Sequence, residues 1–155
     1  VQKRTDALLN CGGTHRPEWF HRKLGDILYE GCGVARDEAG LLDALTKVRE
    51  LREEFWRDVK VVGTGNRLNQ ELEKAGRVAD FIELGEVMIL DALDRRESAG
   101  AHFRNEYATE AGEAKRNDGD WCAVSAWETR PDGTKVRHSE PLSFSLIDLQ
   151  VRDYR

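Results

Sequence analysis

Between Arg95 and Tyr107 the chain gathers the side chains best suited to chemistry: Arg95, Arg96, Glu97, Ser98, His102, Arg104 and Tyr107, set around Gly100. Groups of these types serve catalytic centres as acid, base, nucleophile or anion clamp. Their spacing builds no such centre. Ser98 lacks the first glycine of a nucleophile elbow and no strand leads into it, so it reads as a helix-terminating serine. Elsewhere, His15 and His21 are spaced wrongly for two ligands on one helix face and read as surface histidines. The run Val59 to Leu68 resembles a dinucleotide loop only until Leu68 takes the place of the third glycine, so it reads as an interhelical loop. Catalytic, cofactor-binding and metal residues are therefore expected to be absent from this chain.

The Arg95–Tyr107 stretch has a structural reading instead. Arg95 and Arg96 approach the C-terminal end of a long helix, where the macrodipole favours cations. Glu97 with Arg104, or His102 with Asp94, would be ordinary surface pairs of small value. So many hydrogen-bonding groups around a glycine fit a place where backbone approaches another surface closely. Capping and docking are favoured over turnover.

The elements that must position this stretch are helices. Phe20, Leu24, Ile27 and Leu28 recur at helical spacing after Pro17, which suits a first turn, and Gly31-Cys32-Gly33 stops the segment near Tyr29. Asp37 suits the cap of a second helix with the stripe Leu41, Leu45, Val48, Leu51, Phe55 and Val59. After Gly63-Thr64-Gly65 a third helix begins near Asn66 or Asn69. Its stripe is Leu72, Ala75, Ala79, Ile82, Ile89 and Leu93, and a second stripe of Val78, Phe81, Met88 and Ala92 lies beside it. A face that wide predicts neighbours on two sides. Glu86 falls in the apolar register; it either pairs with Arg49 or Arg52 or, the preferred reading, lies at the edge of the seam, since acids are seldom fully buried.

Short loops between three amphipathic helices predict an antiparallel three-helix bundle, spectrin-repeat-like, over residues 1–108. Residues 109–155 then read as a polar loop to Asp120, a small β-hairpin and an extended tail from Pro141, all one domain with the bundle. Trp121, Ala123, Ser125 and Trp127 alternate with Cys122, Val124 and Ala126, and Pro131-Asp132-Gly133 supplies the turn before a return strand, Lys135 to Ser139.

Composition narrows the function classes. With 24 Lys and Arg against 29 Asp and Glu, the net charge of −5 argues against a nucleic-acid partner. The 3 cysteines have no CxxC spacing and support neither a disulfide framework nor a zinc site. No apolar run approaches the length of a bilayer span. Because the sequence opens at Val1 within a charged segment, it is read as a piece of something longer.

The order of Gly33-Val34-Ala35-Arg36, LREEFW, ELEKAGRVADFIELGEVM, RRESAGAH, FRNEY, AKRNDGDW and HSEPLSF resembles the C-terminal helical domain of the succinate dehydrogenase and fumarate reductase flavoprotein subunits, from about Phe20 to the end. The wording of EEFW and ELEKAGRVADFIELGE resembles the bacterial branch with a diheme cytochrome membrane anchor more than the mitochondrial type. In that family FAD takes a hydride equivalent from succinate to give fumarate, and electrons pass to an iron–sulfur subunit and quinone, or the reverse. The FAD-binding and capping domains, which hold the flavin and the catalytic residues, come earlier in such chains, so the resemblance implies FAD in the parent subunit and none in this fragment, which alone would be inactive. It implies partners too: the subunit's own FAD-binding and capping domains, the iron–sulfur subunit and, indirectly, the membrane anchor on the cytoplasmic side of the bacterial inner membrane.

The family's Arg-x-Glu-Ser-Arg-Gly-Ala-His motif matches at Arg95, Glu97, Ser98, Gly100, Ala101 and His102, and departs at Ala99. Arg104, Tyr107, Arg116, Asp118 and Trp121 continue the pattern. The resemblance makes Arg95, Glu97, Ser98, Gly100, His102, Arg104, Tyr107, Arg116, Asp118 and Trp121 a docking face toward the flavin domain. Rival readings are the helical tail of a related flavoprotein such as L-aspartate oxidase, and a stand-alone helical binding module.

Overall fold

The computed structural model describes residues 1–150 and is mainly helical, with two small sheets. In chain order the elements are α1 (Gln2–Asn10), α2 (Pro17–Gly31), β1 (Ala35–Arg36), α3 (Glu38–Asp58), α4 (Gln70–Asp94), β2 (Phe103–Arg104), a 3-10 turn (Asn105–Tyr107), α5 (Asp118–Trp121), β3 (Ala123–Thr129) and β4 (Lys135–Pro141). They fall into two compact units, Val1–Arg116 and the part from Asn117 onward.

In the first unit α2, α3 and α4 each pack against the other two. Asp37 caps α3 by accepting the Gly40 N–H, and Asn69 caps α4 by accepting from Leu72. The buried stripe of α3 is Leu41, Ala44, Leu45, Val48, Leu51 and Phe55; α4 contributes Ala75, Val78, Ala79, Ile82, Ile89 and Ala92. Phe20 of α2 meets Phe55 edge to face at 5.2 Å. Gly31 lets α2 run close to α3, since a Cβ there would lie 2.6 Å from that of Ala44.

Two expectations about α4 need correction. Its second stripe is split: α4 does have neighbours on two sides, α2 and α3, and Val78 and Ala92 are buried, but Phe81 and Met88 of that stripe remain exposed. Glu86 is no edge residue. It is 3% exposed, in the seam, with Oε1 accepting from Arg49 Nε at 2.7 Å and Oε2 accepting from Arg52 Nη1 at 2.5 Å. Two guanidinium groups reaching in from α3 make its burial tolerable.

The opening charged segment forms α1, which sequence periodicity did not reveal because Leu8 is its one buried residue. Arg4 ties it to α4 through Asp80 at 2.6 Å and the Gly76 carbonyl at 3.1 Å. The connection to α2 is clasped to the end of α3: Gly13 N–H donates to Val59 O, His15 N–H to Asp58 O, and Lys60 N–H to His15 O. His15 is thus more than a surface histidine. It stacks on Trp19, and its Nδ1 lies 2.6 Å from Asp58 Oδ2. Hydrogen bonds from His15 and then Thr14 hold the Asp58 carboxyl down to about 2.

A Cβ at Gly13 would stand 2.0 Å from the Asp58 backbone. Gly13→Ala is therefore expected to destabilise by about 2 kcal/mol or more and to strip amide-exchange protection from α1 first. Wild-type protection in α1 would refute that clasp.

In the second unit β3 and β4 pair antiparallel, from Ala123 opposite Pro141 to Thr129 opposite Lys135. The turn closes with Arg130 N–H on Thr134 O, and Gly133 takes φ +86°, a left-handed value suited to glycine. Trp121 is the last residue of the short α5 rather than part of a strand, its ring 4.8 Å from the Arg137 guanidinium. Residues 142–150 of the expected tail hold neither helix nor strand, and its last five, 151–155, lie outside the described residues.

Candidate docking site at the end of the long helix

At Arg95 the chain leaves α4 with extended geometry, and it then folds back on itself. Ala99 and His102 exchange backbone hydrogen bonds at 2.8 and 3.1 Å across a tight turn in which Gly100 has φ +59°. A positive angle at the first central position followed by a negative one is the type II′ arrangement, which asks for glycine there. Crowding is not the reason for it: a Cβ at Gly100 would meet nothing within 4 Å. Gly100→Ala should accordingly cost about 1 kcal/mol of unfolding free energy, the ordinary left-handed penalty. In the full-length subunit a loss of several kcal/mol on thermal unfolding would instead mean that a neighbour approaches the turn.

Beyond the turn, Phe103 N–H reaches Val34 O and β2 runs parallel to β1, Ala35 opposite Phe103 and Arg36 opposite Arg104. Two residues per strand carry no periodicity to be read in advance. Ser98 is fully buried past the helix end, not within its last turn. Its N–H donates to Lys115 O, while its hydroxyl accepts from Arg104 N–H at 2.8 Å and lies 3.1 Å from Arg104 O. Lys115 N–H also donates to Tyr107 O, so residues 109–116 are held in the first unit.

The charged partners differ from those expected. Glu97, buried, accepts from Arg95 Nε at 2.8 Å and Nη2 at 2.6 Å, and not from Arg104. His102 Nε2 contacts the Arg95 carbonyl at 3.1 Å in place of Asp94, so that nitrogen carries the proton. Burial first, and the nearby Arg36, Arg95 and Arg104 charges with it, push the His102 pKa down despite that hydrogen bond. The cation at the end of α4 is Arg104, not Arg95 or Arg96. Arg104, 2% exposed, donates from Nη1 to Ala92 O at 2.7 Å and Leu93 O at 3.3 Å, carbonyls that the helix leaves unpaired. Its Nε donates to Glu106 Oε2 at 3.1 Å, and its guanidinium lies 5.4 Å from the Tyr107 ring.

Glu106, absent from the sequence-based candidates, completes the arrangement. Its Oε1 accepts the Glu38 N–H at the start of α3. Burial raises its pKa, but that bond, its own backbone N–H and Arg104 prevail and the net shift is downward. A cation on one helix's carbonyl end and an anion on another's amide end are thereby joined through one ion pair. Arg36 was missed as well; its Nη2 donates to Ala101 O at 3.2 Å.

Arg95, Glu97, Ser98, Gly100, His102, Arg104 and Tyr107 thus come together in one loop. Arg116 is half-buried at the end of the same unit, while Asp118 and Trp121 belong to the second unit. Among the described residues no group of three or more His, Cys, Asp or Glu side chains is placed to hold a metal ion. The element ahead of the Gly63–Gly65 loop is α3 and not a strand of a parallel sheet, the element that leads into a dinucleotide loop.

A family model described as fumarate reductase flavoprotein C-terminal matches residues 21–154. The chain belongs to that family. The succinate dehydrogenase flavoprotein subunit of Bacillus subtilis (strain 168) is 27% identical over 148 residues, which cover 95% of this chain and 24% of the relative. The fumarate reductase flavoprotein subunit of Escherichia coli (strain K12) is 31% identical over 104 residues, 67% of this chain and 17% of the relative. Among solved structures, a variant of E. coli quinol fumarate reductase has a TM-score of 0.80 at 24% identity, over 95% of this chain and 24% of that one. Adenylylsulfate reductase from Archaeoglobus fulgidus has a TM-score of 0.67 at 19% identity, over 88% of this chain and 20% of that one. The family's fold is thus shared with a reductase of another substrate. This family member spans about a quarter of the length of the first of these curated relatives, 24%.

Proposed function

We propose that this chain is the C-terminal helical part of a flavoprotein subunit that oxidises succinate to fumarate, or runs the reverse, with FAD held by its other domains. In this reading α2, α3 and α4 form an antiparallel three-helix bundle, and the bundle with its hairpin is a buttress. The loop from Arg95 to Tyr107 docks on the FAD-binding and capping domains and reaches toward the iron–sulfur subunit; Arg116 at the end of the first unit, and Asp118 and Trp121 of the second, are docking residues in their own right. No helix among the described residues is long and apolar enough to cross a membrane, and attachment on the cytoplasmic side of the inner membrane falls to the anchor subunit. Electrons leave through the iron–sulfur subunit to quinone.

The observation that carries the structural role is that the loop's buried polar groups are already engaged within the chain. Arg104 is committed to the α4 carbonyls and Glu106, Glu97 to Arg95, and Ser98 to the Arg104 backbone. A side chain so tied positions its surroundings; it is not placed to attack or protonate a substrate. The test is purification of the intact gene product. A yellow protein that keeps its flavin through denaturation and reduces a dye when given succinate supports the reading. A colourless product inert to succinate and fumarate contradicts it.

A further inference from the structure

We propose that the cleft lined by Cys32, Arg36, Met88, Arg95 and His102 receives a carboxylate side chain from the flavin-bearing portion of the same subunit, whose apolar surround seats on Phe81, Leu84 and Met88. This rests on the docking reading above and deepens it by naming the chemistry of the contact.

The cleft has a volume of about 290 Å³, and the guanidinium of Arg36 is its unfinished element. The Arg36 hydrogen bonds go to the Ala101 carbonyl at 3.2 Å and the Cys32 thiol at 3.7 Å, neither of them an anion. Its Nε is buried and has no acceptor. A buried N–H left unmade costs free energy, and a carboxylate that draws the guanidinium round to bridge Nε and an Nη is the group that restores it. Arg95 sends Nε and Nη2 to Glu97, which leaves its Nη1 edge for a second acceptor. His102, whose charged form burial and the surrounding arginines disfavour, supplies no anion in either protonation state. The one acid on the wall, Asp91, already has an interaction within the chain.

The apolar half of the site is continuous with this cleft. Phe81, Leu84, Met88 and Asp91 follow one another at steps of three and four along α4, so one helix face runs from an apolar band to the cleft that Met88 and Asp91 line. Phe81, Leu84 and Met88 are 40%, 55% and 47% exposed, a band of the kind that marks an interaction surface. Arg36, whose hydrogen bonds reach no anion, asks for an acid. Because the chain spans 24% of its Bacillus relative, the flavin-bearing remainder of such a subunit is the surface tethered beside it.

The test uses the full-length subunit with a photo-cross-linking residue at Leu84 or, separately, at the exposed Arg96. Cross-links from position 84 are expected to land beside an Asp or Glu of the flavin-bearing portion. Arg36→Gln and neutralisation of that acid should each speed limited proteolysis between the two portions by on the order of tenfold, with no further gain when combined. Additive effects of the two changes would overturn the carboxylate site. So would links from 84 that reach only a second copy or another subunit. Links from 96 to the flavin-bearing portion without any from 84 would overturn this inference and leave docking standing. Absence of links from both positions would overturn both.

Discussion

Arg104→Met is expected to lower the unfolding free energy by about 3 kcal/mol, the scale for removing one member of a buried, hydrogen-bonded ion pair. The side chain has a stem that methionine replaces in volume, so the loss isolates the guanidinium. Without it the Ala92 and Leu93 carbonyls at the end of α4 lose their donor and Glu106 loses its counter-ion. Arg104→Lys should recover only part of the loss, because a single ammonium does not span the helix end and Glu106 as the planar fork does. Denaturant titration of the full-length subunit reads the effect. A midpoint unchanged in Arg104→Met would mean that the loop is held by its backbone bonds alone.

Glu86→Ala should cost about 3–5 kcal/mol, since it leaves Arg49 leaning on an apolar seam without an anion and Arg52 with only Glu83, 3.5 Å away. Those two side chains retain 51% and 31% exposure, which places the expected loss near the lower end of that range. Glu86→Gln keeps the shape and should lose less. The pH dependence has a definite sign. Burial raises the Glu86 pKa, but the Arg49 hydrogen bond and the Arg52 charge and hydrogen bond overcome it, so the folded value lies below 4.5. A carboxyl depressed on folding contributes stability that is present in full above 4.5 and is lost as pH falls through its folded pKa. The difference in stability between wild type and Glu86→Gln should therefore shrink below that pH. A difference that grows on acidification would count against the buried triad.

Local signals in the sequence recover α2, α3 and α4 because each buries a stripe at helical spacing and two of them carry cap residues, Asp37 and Asn69, that accept the expected N–H groups. Non-local partner choice is what they miss. The macrodipole argument correctly asks for a cation at the end of α4, yet Arg104 outcompetes the nearer Arg95 and Arg96 because the Gly100 turn carries it back under the helix while Arg95 turns to Glu97. Glu106 could not be found from periodicity, since its partner Glu38 N–H lies far back in the chain. The α1 segment escaped for a different reason: a helix anchored by one buried leucine and an Arg4–Asp80 pair presents no apolar stripe.

The central claim, that the Arg95–Tyr107 loop holds the subunit together and takes no part in turnover, is tested most directly by steady-state kinetics on Arg95→Gln and His102→Gln in the full-length, flavin-loaded subunit, paired with thermal unfolding. The account predicts kcat and KM for succinate within about twofold of wild type in the folded fraction and a lowered Tm for both variants. A fall in kcat by orders of magnitude at unchanged Tm would place the loop in the reaction and contradict it.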